Sequence, residues 1–140
     1  MKRSASAVWQ GDLKSGKGTL SAPSKVLADT PYTFATRFEN APGTNPEELI
    51  AAAHAGCFSM AFSAALGKAG FTPTRVATTA TAALETIDGK PTISTIHLDM
   101  TATVPGLDNA KFQEIAADAK ANCPVSRVLN AKISLDAKLA

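Results

Sequence analysis

The sequence lacks most of what would mark a nucleic-acid, nucleotide or zinc protein. Its 14 Lys and Arg and 12 Asp and Glu give a formal charge of +2 at pH 7, and the basic residues form no cluster. That leaves no electrostatic footprint for nucleic acid or an anionic membrane. No glycine spacing matches a phosphate-binding fingerprint, and no CxxC or HxxxH pair occurs. Met1-Lys2-Arg3-Ser4-Ala5-Ser6 is basic but no apolar h-region follows, so no signal peptide is visible and a cytoplasmic protein is expected. In that compartment the two cysteines are free, metal-binding or redox-active rather than a structural staple. There is no repeat, low-complexity tract or linker, so the 140 residues are expected to form one domain, 1–140.

What is present is one long uncharged stretch. Asn45 is a good N-cap, Pro46 suits the first helical position, and Glu48 stands where a capping box needs it. With Gly70 as a stop, the pattern predicts a helix over roughly 46–68. From Leu49 to Leu66 it is apolar or small on every face, which predicts burial all round. The length also suits a membrane span. Its Ala, Gly and Ser content and the central His54 favour instead a central helix packed on a copy of itself.

Around this helix, residues 4–22 read as a strand pair, and 31–38 as a strand with Tyr32, Phe34, Thr36 and Phe38 on one face and Arg37 on the other. Residues 74–85 and 92–104 form an antiparallel hairpin about Asp88-Gly89, with Ile96, Leu98 and Met100 inward and His97 outward. A helix over 110–121 carries Phe112, Ile115, Ala116 and Ala119 at helical spacing. Cys123-Pro124 restarts a short helix to Leu129, and 131–139 is a last strand. The order β-β-β-α-β-β-α-α-β, with strands mostly in local antiparallel pairs, is that of an α+β fold, an antiparallel sheet with a long central helix.

The candidate nucleophiles are Cys57 and Cys123. A free Cys on an apolar helix commonly just packs. Cys123, directly before Pro124 at a helix start, has local N–H groups to stabilise a thiolate, which makes it the low-pKa thiol on local grounds. Cys57 lies three turns into its helix and needs a positive neighbour, for which Arg37 is the candidate. Glu47 and Cys57 are about 15 Å apart along one helix and cannot touch within it. Two copies crossing antiparallel near Ala52, over Ala51, Ala55 and Gly56, would bring Glu47 of one level with Cys57 of the other. His54, Cys57, Cys123 and His97 are four conceivable metal ligands, and His54 or His97 a conceivable base for a Cys-His hydrolase.

Gly43-Thr44-Asn45-Pro46-Glu47-Glu48-Leu49 followed by Ala52-Ala53-His54-Ala55-Gly56-Cys57-Phe58 resembles the signature of the OsmC/Ohr family of organic hydroperoxide peroxidases. Trp9 to Gly18 and Ala121-Asn122-Cys123-Pro124-Val125-Ser126 are similar to its OsmC branch. The resemblance implies an intertwined homodimer of α+β subunits with paired central helices, and a thiol peroxidase working without metal, haem or other cofactor. It implies Cys57 as the peroxidatic thiol, against the local preference for Cys123, which becomes the resolving thiol. Arg37 and Glu47 polarise the site, with Glu48 the alternative to Glu47. A lipoyl-type dithiol is the implied reductant. Phe58, Phe62, Phe34 and Met60 are candidates to line an apolar approach for the hydroperoxide, or are plain core. The contrasting reading is a non-enzymatic, stress-induced dimeric binding protein whose cysteines pack or hold a metal.

Overall fold

The computed structural model describes residues Met1–Ala140, which divide into two units, Met1–Leu49 and Ile50–Ala140. In the first unit, β1 (Ser6–Gln10), β2 (Lys17–Ser21) and β3 (Thr30–Tyr32) form an antiparallel sheet in that order. The β1–β2 turn is held by Asp12, whose Oδ1 accepts from the Lys14 and Ser15 backbone N–H groups at 2.9 Å each. Gly18 on β2 lies under the Trp9 and Tyr32 rings, and a Cβ there would come within 2.7 Å of both.

The strand expected over 31–38 is corrected. It ends at Tyr32, and Phe34–Phe38 is a short helix, α1. Thr33 and Thr36 cap it reciprocally: the Thr33 N–H donates to Thr36 Oγ1 at 2.9 Å and the Thr36 N–H to Thr33 Oγ1 at 3.2 Å. Two threonines at that spacing satisfy orphan N–H groups as a capping box does, which overrides the alternating apolar pattern. Arg37 consequently sits in the last turn of a helix, not on a strand face.

Helix α2 is Pro46–Lys68. Asn45 caps it, accepting the Glu48 N–H at 2.8 Å, while the Glu48 carboxylate takes the Thr44 hydroxyl rather than closing a capping box. At its end Phe71 N–H reaches Leu66 O at 2.9 Å and Gly70 N–H reaches Gly67 O at 3.1 Å, with Gly70 at φ +86. That is a Schellman stop, and it is why a glycine stands there.

In the second unit, β4 (Arg75–Ile87) and β5 (Lys90–Thr103) are the expected antiparallel hairpin. β6 (Lys132–Leu139), for which the sequence set no partner, pairs with β5 in parallel. The cause is the connection: α3 (Asn109–Asn122) and α4 (Pro124–Val128) intervene, and a helical crossover returns the chain in the same direction. Asp108 caps α3, accepting the Lys111 N–H at 2.9 Å.

The core of this unit joins Phe58, Phe62 and Leu66 of α2 to Ile96, Leu98 and Met100 of β5 and Phe112, Ala116 and Ala119 of α3. Phe62 meets Phe112 edge-on at 5.4 Å between centroids. α2 is not buried all round. Its spine of His54, Phe58, Phe62 and Leu66 is inside, whereas Ala52, Gly56, Met60, Ser63 and Gly67 are exposed. Its length and hydropathy alone would suit a membrane span, and the face carrying His54, Phe58, Phe62 and Leu66 is buried within the protein.

Candidate active site

Within the second unit the fold brings the two cysteines together. Cys57 follows His54 by one turn of α2, and Cys123 joins α3 to α4. Their sulfurs are 3.0 Å apart, both thiols free, one donating to the other. Cys123 has no exposed surface, whereas Cys57 is half-buried.

Their titrations are pushed apart. Burial raises the Cys57 pKa and the hydrogen bond with Cys123 raises it further, against the Val125 N–H, which lowers it. Burial also opposes the Cys123 thiolate, but the Ser126 N–H, the Cys57 thiol, the Ser126 hydroxyl and the Val125 N–H outweigh it and lower the pKa. Proline at the first position of α4 aims the next N–H groups back at the residue preceding the helix, which is the physical basis of the local preference for Cys123. At 3.0 Å the two sulfurs titrate as a pair rather than independently.

His54 is fully buried beside this pair, and its Nε2 lies 2.8 Å from Ser126 Oγ. Its Nδ1 is buried without a hydrogen-bond partner, and burial lowers its pKa. His97 is elsewhere, on the outer face of β5, with Nδ1 2.7 Å from Ser134 Oγ and Nε2 3.4 Å from Asp136. No three His, Cys, Asp or Glu side chains converge as metal ligands.

In the first unit, Arg37 and Glu47 form a forked ion pair. Nη2 donates to Oε1 at 2.7 Å, and Nε to Oε1 and Oε2 at 3.1 and 3.3 Å. Glu47 is buried and Glu48 exposed, so of the two carboxylates it is Glu47 that holds Arg37. Arg37 also stacks over Phe38, 5.1 Å from the ring centre. Trp9, Leu13, Tyr32, Thr33, Phe34, Arg37 and Phe38 line a cavity of about 240 Å³.

Of the four expected apolar lining residues, only Phe34 faces this cavity. Phe58 and Phe62 are core, packed 6.2 Å apart, and Met60 is exposed. Sequence reasoning did not single out Trp9, Leu13 or Ser126. For Ser126 a signal existed, because it is the third residue after a cysteine that opens a helix, where N-cap interactions are made.

A model of OsmC-like proteins matches residues 38–138. The chain belongs to the OsmC-like family. It is 56% identical over 133 residues to peroxiredoxin OsmC of Escherichia coli (strain K12), covering 95% of this chain and 93% of that protein. The fold is similar to the crystal structure of the organic hydroperoxide resistance protein OhrB of Bacillus subtilis, with a TM-score of 0.70 at 25% identity, over 96% of this chain and 98% of that one. An OsmC-like protein of unknown function from Vibrio cholerae shares the fold at a TM-score of 0.76 and 15% identity, over 98% and 99% of the two chains. The OsmC-like match runs through both units, and the α+β class with a long helix is that of these relatives.

Proposed function

We propose that this chain is a thiol peroxidase that reduces organic hydroperoxides, with Cys57 as the attacking and Cys123 as the resolving thiol. The observation that carries the reading is the free thiol pair at 3.0 Å with unequal access, in a chain 56% identical to a peroxiredoxin OsmC. A peroxide reaches half-buried Cys57 and not Cys123. The 3.0 Å contact lets a proton pass between the two sulfurs, which makes the thiolate available on Cys57.

The Cys57 thiolate attacks the distal oxygen of ROOH, the O–O bond breaks, and a proton taken up by the leaving alkoxide gives ROH and the sulfenic acid. The Cys123 sulfur then attacks the Cys57 sulfur. The S–O bond breaks, water leaves with the Cys123 proton, and a Cys57–Cys123 disulfide forms. A dithiol of lipoyl type returns both thiols by exchange and becomes a disulfide itself. Arg37, clamped by Glu47, supplies the guanidinium that favours the thiolate and donates to the departing alkoxide.

The protein acts as a homodimer, two α2 helices crossing over Ala52 and Gly56, so that the Arg37–Glu47 pair of one protomer serves the partner's Cys57. Exposed small residues on an otherwise apolar helix support that crossing. The aromatic cavity beside Arg37 supports an organic over an inorganic peroxide, because its walls reward an apolar R group.

Titration of the reduced protein with an organic hydroperoxide, without reductant, tests the reading. Consumption of one equivalent per chain with a Cys57–Cys123 bond by mass spectrometry is expected. Both thiols surviving stoichiometric peroxide would return the chain to the binding-protein reading.

A further inference from the structure

The segment from Trp9 to Gly18 takes no part in the thiol chemistry, yet its glycines are arranged around one side chain. Trp9 of β1, Gly18 of β2 and Tyr32 of β3 stand in one row across the sheet. With no Cβ on Gly18, the Trp9 and Tyr32 rings close over it, 5.3 Å apart between centroids. Gly16 is buried too, and a Cβ there would lie 2.9 Å from Trp9 Nε1. Gly11, at φ +92, opens the turn between the strands. Asp12 pins it, its carboxylate accepting from Lys14 and Ser15 and its carbonyl from the Gly16 N–H. Leu13, held on that turn, is 62% exposed and still lines the cavity that Trp9 and Tyr32 wall. We propose that this motif builds a specificity subsite, in which Trp9, Tyr32 and Leu13 select a hydroperoxide whose organic group carries an aromatic ring over one with a small alkyl group.

Volume and wall chemistry decide the guest. A cavity of about 150 Å³ is enough to hold benzene. The cavity of about 240 Å³ here therefore has room for a phenyl ring with a short substituent. It falls below the roughly 300 Å³ at which pockets for larger ligands begin. Trp9, Tyr32, Phe34 and Phe38 supply most of its wall, in two tilted pairs with ring planes 53° and 42° apart. Tilted pairs present both faces and edges, which an aromatic guest meets with its own edge and face and a saturated group does not. Arg37 is the one charged residue on the wall, so the polar end of a guest is drawn to the guanidinium. Leu13 gains nothing from solvent where it stands, and a guest that covers it removes apolar surface from water. The walls are also set before any ligand arrives, the turn by Asp12 and the two rings by Gly18, and a preformed site loses less freedom on binding.

That the group arrives on a hydroperoxide rests on the peroxidase reading, but the subsite is tested without peroxide. Trp9 is the only tryptophan in the chain, so its fluorescence reports on the cavity directly. The reduced protein is titrated with 2-phenylpropan-2-ol, its cyclohexyl counterpart and 2-methylpropan-2-ol. The phenyl alcohol should change the Trp9 emission saturably and bind about tenfold tighter than the methyl one, a modest return for added apolar groups in a pocket. It should bind about threefold tighter than the cyclohexyl one, the gain from aromatic pairing beyond area. Leu13→Ala, on an exposed turn outside the core, should weaken the phenyl alcohol about fivefold, as for half-burying a leucine under the guest. Leu13→Met, of similar volume, should restore it. Gly18→Ala, which forces both rings off β2, should weaken it about tenfold. Circular dichroism identifies a Gly18 variant that fails to fold, and the Leu13 variants then carry the test. A phenyl alcohol bound no tighter than either of the other two overturns the proposal, as does a phenyl affinity that Leu13→Ala leaves in place. With the phenyl and methyl hydroperoxides, Leu13→Ala should lower the parent's kcat/KM ratio about fivefold. A protein that reduces both hydroperoxides at equal kcat/KM keeps the peroxidase and loses the subsite. One that binds the phenyl alcohol selectively but consumes no peroxide refutes the peroxidase and keeps the subsite.

Discussion

Cys57 and Cys123 hold their sulfurs 3.0 Å apart, but only Cys57 has surface open to solvent. Proximity couples the two thiols, and exposure leaves only one of them open to a reagent from solvent.

Removing the second thiol should therefore leave the first reaction and abolish its protection. Cys123→Ala is expected to consume hydroperoxide once and then accumulate Cys57 sulfinic acid under excess peroxide. Intact mass showing two added oxygens on the variant, against a disulfide in the parent, is the check. A variant that cycles like the parent with dithiol would remove Cys123 from the mechanism.

The Arg37–Glu47 fork should matter more for activity than for folding. Arg37→Ala leaves a buried carboxylate without its cation, but Arg37 is itself 36% exposed, so solvent screens part of the loss. A cost of about 1–2 kcal/mol is expected. Glu47→Gln, whose amide oxygen still accepts from the guanidinium, should cost about half as much. Denaturant midpoints at constant slope measure both. Peroxidase rates of the two variants, normalised to folded protein, should fall well beyond what stability accounts for.

Acid should destabilise the protein through His54. Its folded pKa is below the unfolded value because burial disfavours the charge. Below pH about 6.5 the unfolded chain binds a proton that the folded chain refuses, so stability falls as pH drops from there and levels off below the folded pKa. The slope in that window is at most about 1.4 kcal/mol per pH unit. Thermal unfolding between pH 7 and 5 should show it in the parent and lose it in His54→Gln. An identical slope in that variant would assign the acid sensitivity to other groups.

A site shared between protomers makes a complementation prediction. Arg37→Ala and Cys57→Ser should each be inactive as homodimers. Mixed and allowed to exchange subunits, they should regain activity, because a heterodimer holds one intact Arg37 and one intact Cys57 in trans. Sedimentation should confirm a dimer, and Gly56→Arg, which places a bulky charge on the exposed stripe, should shift it toward monomer.

Much of the fold was legible because its signals are local. Asn45-Pro46 and Gly70 bound α2 to the residues observed, and the alternation of Ile96, Leu98 and Met100 announced the inner face of β5. The short helix Phe34–Phe38 was hidden because four aromatic and threonine positions alternate as a strand does, while the Thr33–Thr36 cap that decides it is weak in sequence. The parallel pairing of β6 was hidden because strand direction is set by the crossover, not by the strand.

At the site, sequence alone picked out the candidates: two thiols, one in an uncharged and one in a helix-opening context, and, through the family resemblance, Arg37 with Glu47 or Glu48. The lowered pKa of Cys123 was readable in part, since the Ser126 and Val125 N–H groups contribute to it beside the Cys57 thiol and the Ser126 hydroxyl. Only the tertiary structure decided that the sulfurs meet, that Glu47 rather than Glu48 takes Arg37, and that Phe58 and Phe62 are core while Trp9 and Tyr32 line a cavity. It also decided what His54 touches. Those outcomes rest on which faces of separate elements pack together, and residues 72 positions apart have no local interaction to reveal their contact before the chain folds.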